Sequence, residues 1–240
     1  MTSDVVTIAA RFNGPPGTAN GGYTCGLVAA AIGPAATVRL LSPPPLDVAL
    51  ERRREADGTV RLLDGDVAVA EGRSARPTVD VPEPPALDIA TRAAGAFAGF
   101  ETHAFPTCFV CGPRRADDDG LDIFPGLAGP DGLLACSWTP AEDLADDGIV
   151  DPRFAWAALD CPSGFACIPP GTTTVLATMT AALEADLHAG RPYVVTGWPL
   201  GSEGRKHHAA SALHTADGEC VAVAEALWIT LRDGDGRPLP

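Results

Sequence analysis

Four groups of residues in this chain have types and spacings suited to chemistry. Asn20-Gly21-Gly22-Tyr23 stands directly ahead of a run of small and apolar residues. Glycines at the start of a helix let a negative atom come close to backbone N–H groups, and the helix dipole favours it there. The same Asn-Gly-Gly also reads as an ordinary turn. Asp160 lies among Ala157, Ala158, Leu159, Cys161 and Phe165. An acid in such company is partly buried, and it serves either as a functional group in a cleft or as a hydrogen-bond partner of nearby backbone. Cys108-x-x-Cys111 raises zinc, but a structural zinc site wants a second ligand pair at suitable spacing and none follows. His207 and His208, as strand neighbours, point to opposite faces and cannot share a metal. A redox dithiol would need a surrounding strand–helix pattern that is missing. The expectation is therefore two small, half-buried thiols beside a strand, with no metal and no cofactor. Finally, Glu203-Gly204-Arg205-Lys206-His207-His208 contains the only lysine of the chain. Arg205, Lys206 and His207 read either as a solvated strand end or as a binding group for phosphates. Gly197, Gly201 and Gly204 would permit a bulge that aims them.

The elements that must position these groups have to fit in 240 residues, enough for one large domain or two smaller ones. A formal net charge of −14 excludes nonspecific nucleic-acid binding, which needs a basic face. No apolar run approaches the roughly 20 residues of a membrane span, and Met1-Thr2-Ser3-Asp4 has no basic region ahead of an apolar stretch. A cytoplasmic location is expected, and the seven cysteines, odd in number and irregular in spacing, read as reduced thiols.

Along the chain, Val5 to Phe12 alternates as a strand and ends in an Asn-Gly-Pro-Pro-Gly loop. A buried helix follows to Ile32, closed by Gly33-Pro34. Strands are predicted over Thr37–Leu41, Val48–Arg54, Thr59–Leu63 and Val67–Arg73, with Asp-Gly turns between the last three. Residues 77–88 are too proline-rich for sheet or helix and read as a semi-rigid linker, with a short connecting helix over 89–100. The second half repeats the order: strands at Leu121–Phe124 and Leu133–Thr139, then a helix over Arg153–Cys167 capped by Asp151 with Pro152 in its first turn. Three long strands come next: Thr172–Ala185, Tyr193–Thr196 continuing toward Ser211 and His214, and Cys220–Leu231. The last is apolar on both faces, so cover is expected on both sides, by a helix and by another subunit. The predicted class is α+β, two antiparallel sheets each wrapped around a central helix, divided as 1–76, a linker over 77–104, and 105–240.

Cys108-Phe109-Val110-Cys111-Gly112 with Gly120-Leu121-Asp122-Ile123-Phe124 resembles the opening of the phenylacetate-pathway-type hotdog thioesterases. Phe12, Asn20-Gly21-Gly22-Tyr23 and Pro43-Pro44-Pro45-Leu46 look like the first half of bacterial double-hotdog acyl-CoA thioesterases. Together these resemblances cover roughly residues 5–75 and 105–231. They imply a tandem (double) hotdog, a homodimer of such chains, and acyl-CoA or another acyl thioester as substrate. The chain departs from the pattern in two places. The usual His-Gly-Gly is Asn20-Gly21-Gly22 in the first half and is replaced by Ile149-Val150-Asp151-Pro152-Arg153 in the second. Only the second-half helix carries a carboxylate.

The resemblance thus implies one composite site per chain, its mirror image degenerate. Asp160 would be base or nucleophile, and the Gly22 and Tyr23 N–H groups would hold the oxyanion. Asn20 would orient, Gly21 would admit the acyl group, and Arg205, Lys206 and His207 would meet the phosphates of coenzyme A. A hydratase reading fails because Phe165 stands where a histidine would be required. A noncatalytic acyl- or acyl-CoA-binding protein is the alternative.

Overall fold

The computed structural model describes residues 2–116, 119–169 and 171–239; positions 1, 117, 118, 170 and 240 of the expected spans lie outside them. In chain order the elements are β1 (Thr2–Thr7), α1 (Gly21–Ala29), β2 (Ala35–Leu40), β3 (Ala49–Arg54), β4 (Val60–Asp64), β5 (Val67–Ser74) and α2 (Leu87–Ala94). They continue as β6 (Gly126–Leu127), β7 (Leu134–Trp138), β8 (Ala145–Asp146), β9 (Ile149–Val150), α3 (Pro152–Cys167), β10 (Thr174–Leu183), β11 (Tyr193–Glu203), β12 (Lys206–Thr215) and β13 (Cys220–Thr230). All but β8 and β9 join one antiparallel sheet in the order β1-β3-β4-β5-β2-β10-β13-β12-β11-β7-β6. The seam between the two parts of the chain is the pairing of β2 with β10, Ala182 opposite Ala35 through Thr178 opposite Arg39.

Helices α1 and α3 lie against each other on the inner face of this sheet. Every residue of α1 from Gly22 to Ala29 is buried, which its all-round apolar sequence requires. The helix is shorter than predicted: Ala31 and Ile32 N–H bond back three residues to Val28 O and Ala29 O rather than extending it, ahead of Gly33. Helix α3 is capped as predicted, the Asp151 carboxylate accepting from Arg153 N at 2.9 Å. Pro162 sits inside it and removes one helical hydrogen bond, a defect of about 3 kcal/mol in an isolated helix. Two hydroxyls brace the turn before it: Ser211 Oγ donates to Leu159 O at 2.6 Å and Ser163 Oγ to Asp160 O at 2.7 Å. Trp228 Nε1 donates in turn to Ser163 Oγ at 3.0 Å. No helix of the described residues is long and apolar enough to cross a membrane.

Several expectations are corrected. Leu121–Phe124 is not a strand; Leu121 and Ile123 are buried, and their N–H groups bond to Phe109 O and Val110 O of an irregular loop. Two strands and a turn at Gly204-Arg205 replace the single long strand expected after Tyr193. The connecting helix begins two residues earlier and ends at Ala94, with Gly95 as its C-cap. The proline-rich linker is a strap lying on the sheet: Val79 and Val81 pack against Trp198, Ala210 and Ala212, and Thr78 N–H donates to Glu225. Helix α2 covers Ala135 and Val194 beside it. The cover expected from another subunit is thus partly supplied by the chain itself.

One buried polar group gives the fold a pH dependence. His214 on β12 is 1 % exposed, has Thr196 Oγ1 at 3.4 Å from Nε2, and leaves Nδ1 without a partner. Burial pushes its pKa down to about 4. An unfolded histidine titrates near 6.5, so below that pH the unfolded state binds a proton the folded state refuses. This part of the stability is intact above pH 6.5 and is lost as the pH falls to about 4, roughly 3 kcal/mol in all. Urea unfolding of the wild type and His214→Gln across that window should show a steeper acid loss for the wild type. Parallel curves would dismiss the assignment.

Candidate active site

Helix α1 follows the edge strand β1 and a loop, and Asn20 caps it. Asn20 Oδ1 accepts from Tyr23 N at 2.8 Å, while Asn20 Nδ2 donates to Asp160 Oδ2 at 2.8 Å. Gly22 N donates to the same Oδ2 at 3.0 Å. One side chain therefore holds both the first turn of α1 and the acid of α3. The approach is close enough that a Cβ on Gly22 would lie 2.5 Å from Asp160 Cβ and 2.6 Å from Trp156 O. Asp160 is 2 % exposed, and its Oδ1 has no hydrogen-bond partner.

Burial raises the Asp160 carboxyl to about 7, and the nearby Cys108 charge adds to this. Hydrogen bonds from Gly22 N and Asn20 pull the other way. A carboxyl poised near neutrality can both take up and return a proton.

Asn20, Gly21 and Asp160 line one cavity of about 1030 Å³ whose apolar wall includes Leu40, Phe105, Phe165, Leu176 and Trp228. Of the N–H groups in the first turn of α1, those of Gly22 and Tyr23 are taken by Asp160 and Asn20. Gly21 N–H has no acceptor among the described residues, and Gly21 itself lines the cavity. The free donor is therefore one or two residues earlier than the sequence suggested. Tyr23 does not reach the cavity: its ring stacks on Phe12 at 4.4 Å and its hydroxyl accepts from Arg153 at 3.2 Å.

The structure does not bring the cationic cluster to this cavity. Arg205 and Lys206 are exposed at the turn between β11 and β12. His207 is buried, with Nδ1 at 2.9 Å from Ser202 Oγ and Nε2 at 2.7 Å from Thr230 Oγ1, so both ring nitrogens are already used. Arg205 O accepts from Thr230 N, one residue before Leu231, which does line the cavity.

Sequence reasoning missed two neighbours of the acid. Cys161, one residue after Asp160, meets Cys108 and Cys111, so the expectation of two half-buried thiols beside a strand is corrected to three fully buried ones. His103 also lines the cavity; its Nδ1 accepts from Phe105 N at 2.9 Å and its Nε2 is unpartnered. The only sequence signal for the first was a cysteine beside the acid; His103 carried none.

No family model and no curated protein matches the sequence. Solved structures do match over nearly the whole chain. A conserved protein of unknown function with hot dog fold from Alicyclobacillus acidocaldarius aligns at TM-score 0.58 and 11% identity, covering 96% of this chain and 94% of its own. The chain has the hotdog fold. The hotdog proteins it is similar to include an acyl-CoA thioesterase II from Mycobacterium marinum, at TM-score 0.60 and 11% identity over 97% of this chain and 94% of that one. A TesB protein from Mycobacterium avium subsp. paratuberculosis aligns at TM-score 0.60 and 12% identity, over 95% and 92%. At such identities the likeness establishes the hotdog architecture and leaves the chemistry to the residues above.

Proposed function

We propose that this chain is an acyl-thioester hydrolase, acting on acyl-CoA or another acyl-carrier thioester at a composite site between two hotdogs in tandem. The observation that carries the reading is the meeting of a helix N-terminus from the first half with a near-neutral, buried carboxyl from the second, on the wall of a large apolar cavity. The acyl chain occupies the apolar side, and its carbonyl oxygen takes the free Gly21 N–H. Asp160 Oδ1 accepts a proton from a water as that water's oxygen bonds to the carbonyl carbon. Collapse of the tetrahedral intermediate breaks the C–S bond, and Asp160 returns the proton to the departing sulfur. In this reading Gly22 and Asn20 position the acid. Arg205 and Lys206, exposed outside the cavity at the turn whose Arg205 O accepts from Thr230 N, are left to meet carrier phosphates.

The tandem division, 1–76 and 105–240 with 77–104 between, is supported by the way the two helices correspond. Counted from the first helical residue, Ala29 of α1 stands where Asp160 stands in α3, and the caps Asn20 and Asp151 correspond. A second cavity of about 500 Å³ includes Pro152 at the start of α3 and Ala29 of α1, and no carboxylate of α1 faces it. That is the degenerate counterpart of the first.

Purified protein incubated with acyl-CoAs of increasing chain length should release free thiol, detected colorimetrically, with a preference for some chain lengths. Calorimetric binding of acyl-CoA without thiol release would favour the noncatalytic acyl-binding reading instead.

A further inference from the structure

Cys108 and Cys111 come from one tight turn, in which Gly112 N–H bonds back to Cys108 O at 2.8 Å. Only glycine fits there, since a Cβ would lie 2.5 Å from Cys108 N and O. The turn sets both thiols toward α3, where Cys161 completes a group whose three sulfurs lie within 4.8 Å of one another, all buried. Cys108 Sγ and Cys161 Sγ are 3.9 Å apart. A disulfide needs about 2.05 Å, whereas sulfurs each bonded at about 2.3 Å to one tetrahedral zinc stand about 3.8 Å apart. The spacing fits a shared cation.

Two further observations point the same way. Around the same cavity, Asp160 Oδ1 is a buried acceptor without a partner and His103 Nε2, whose ring accepts through Nδ1, a buried donor without one; a metal-bound water could give a proton to the first and accept from the second. Asn20 Nδ2 lies 3.9 Å from Cys108 Sγ, as an outer-shell donor to a thiolate would.

We propose that Cys108, Cys111 and Cys161 bind a thiophilic divalent cation, Zn²⁺ by its fit, as three thiolates, with the fourth position open to the cavity. Binding releases the thiol protons of the ligands to solvent, and the ion offsets two of the three thiolate charges. The cation would fasten the Cys108–Cys111 turn to α3 beside Asp160. The proposal does not depend on the hydrolase reading.

The full chain, purified under reductant without chelator, should contain one equivalent of zinc by elemental mass spectrometry. Replacement by Co²⁺ should give thiolate-to-cobalt charge-transfer absorption. Cys108→Ser and Cys161→Ser should each lower metal content at least about tenfold, while Cys136→Ser, a buried thiol on β7, should leave it unchanged. Should the first two variants fail to fold, the cobalt spectrum of the wild type decides alone. Reduced wild-type protein that takes up neither metal would overturn the proposal, whether its thiols are free or had been recovered as a disulfide. Cobalt bound without the thiolate band, or equal metal content in all three variants, would overturn it too.

Discussion

Replacing Asp160 with Asn should lower the turnover of thioester hydrolysis by at least about 100-fold while leaving the fold intact. The substitution is nearly isosteric, and an amide oxygen can still accept from Gly22 N and Asn20 Nδ2, so the link between α1 and α3 survives. What disappears is the unpartnered Oδ1, replaced by an amide nitrogen that donates and cannot take a proton from water. Turnover, far-ultraviolet circular dichroism and the thermal midpoint together read the result. Full activity in a well-folded Asp160→Asn protein would place the base elsewhere.

Gly22→Ala should be among the most destabilising single methyl additions in the chain, about 3 kcal/mol in urea unfolding. The new Cβ would meet Asp160 Cβ at 2.5 Å, Trp156 O at 2.6 Å and Ala157 Cα at 3.1 Å. None of these is the end of a flexible side chain, so the helices themselves must separate. That movement breaks the Gly22–Asp160 hydrogen bond and should abolish turnover in the fraction that remains folded. Gly26→Ala is the comparison, because its Cβ would press on Arg153 Cα at 2.8 Å and Trp156 Cβ at 2.9 Å in the same interface. It should cost similar stability and leave more activity per folded molecule. Equal losses of activity in both would reduce Gly22 to a packing residue.

The sheet-and-helix order was legible because its signals are local: Asp-Gly turns, alternating strands, and a proline after a capping aspartate. Asp160 and Asn20-Gly21-Gly22 were legible for the same reason, an acid among alanines and a glycine pair before an apolar run. Leu121–Phe124 alternates because it is buried on one side, and alternation alone does not say whether its partner is a strand or a loop. The free N–H of the first turn falls at Gly21 because the Asn20 cap takes Tyr23 N and Asp160 takes Gly22 N, and only the packing of α3 on α1 decides the second of these. Cys161 was passed over because a metal-ligand search by spacing looks for pairs, and this third thiol comes from a helix far along the chain. The strap left a trace in Val79 and Val81, apolar alternation inside a proline-rich stretch that a free linker would not need.

The seam between β2 and β10 carries a last consequence. Main-chain pairing of β2 with β10 holds the two parts of the chain together, so the proposed site, with Asn20 and Gly21 from one part and Asp160 from the other, would be lost if that seam opened. Because both parts belong to one chain they are always present one to one, and α1 and α3 need not be alike. Only α3 carries an acid, Asp160; α1 carries none.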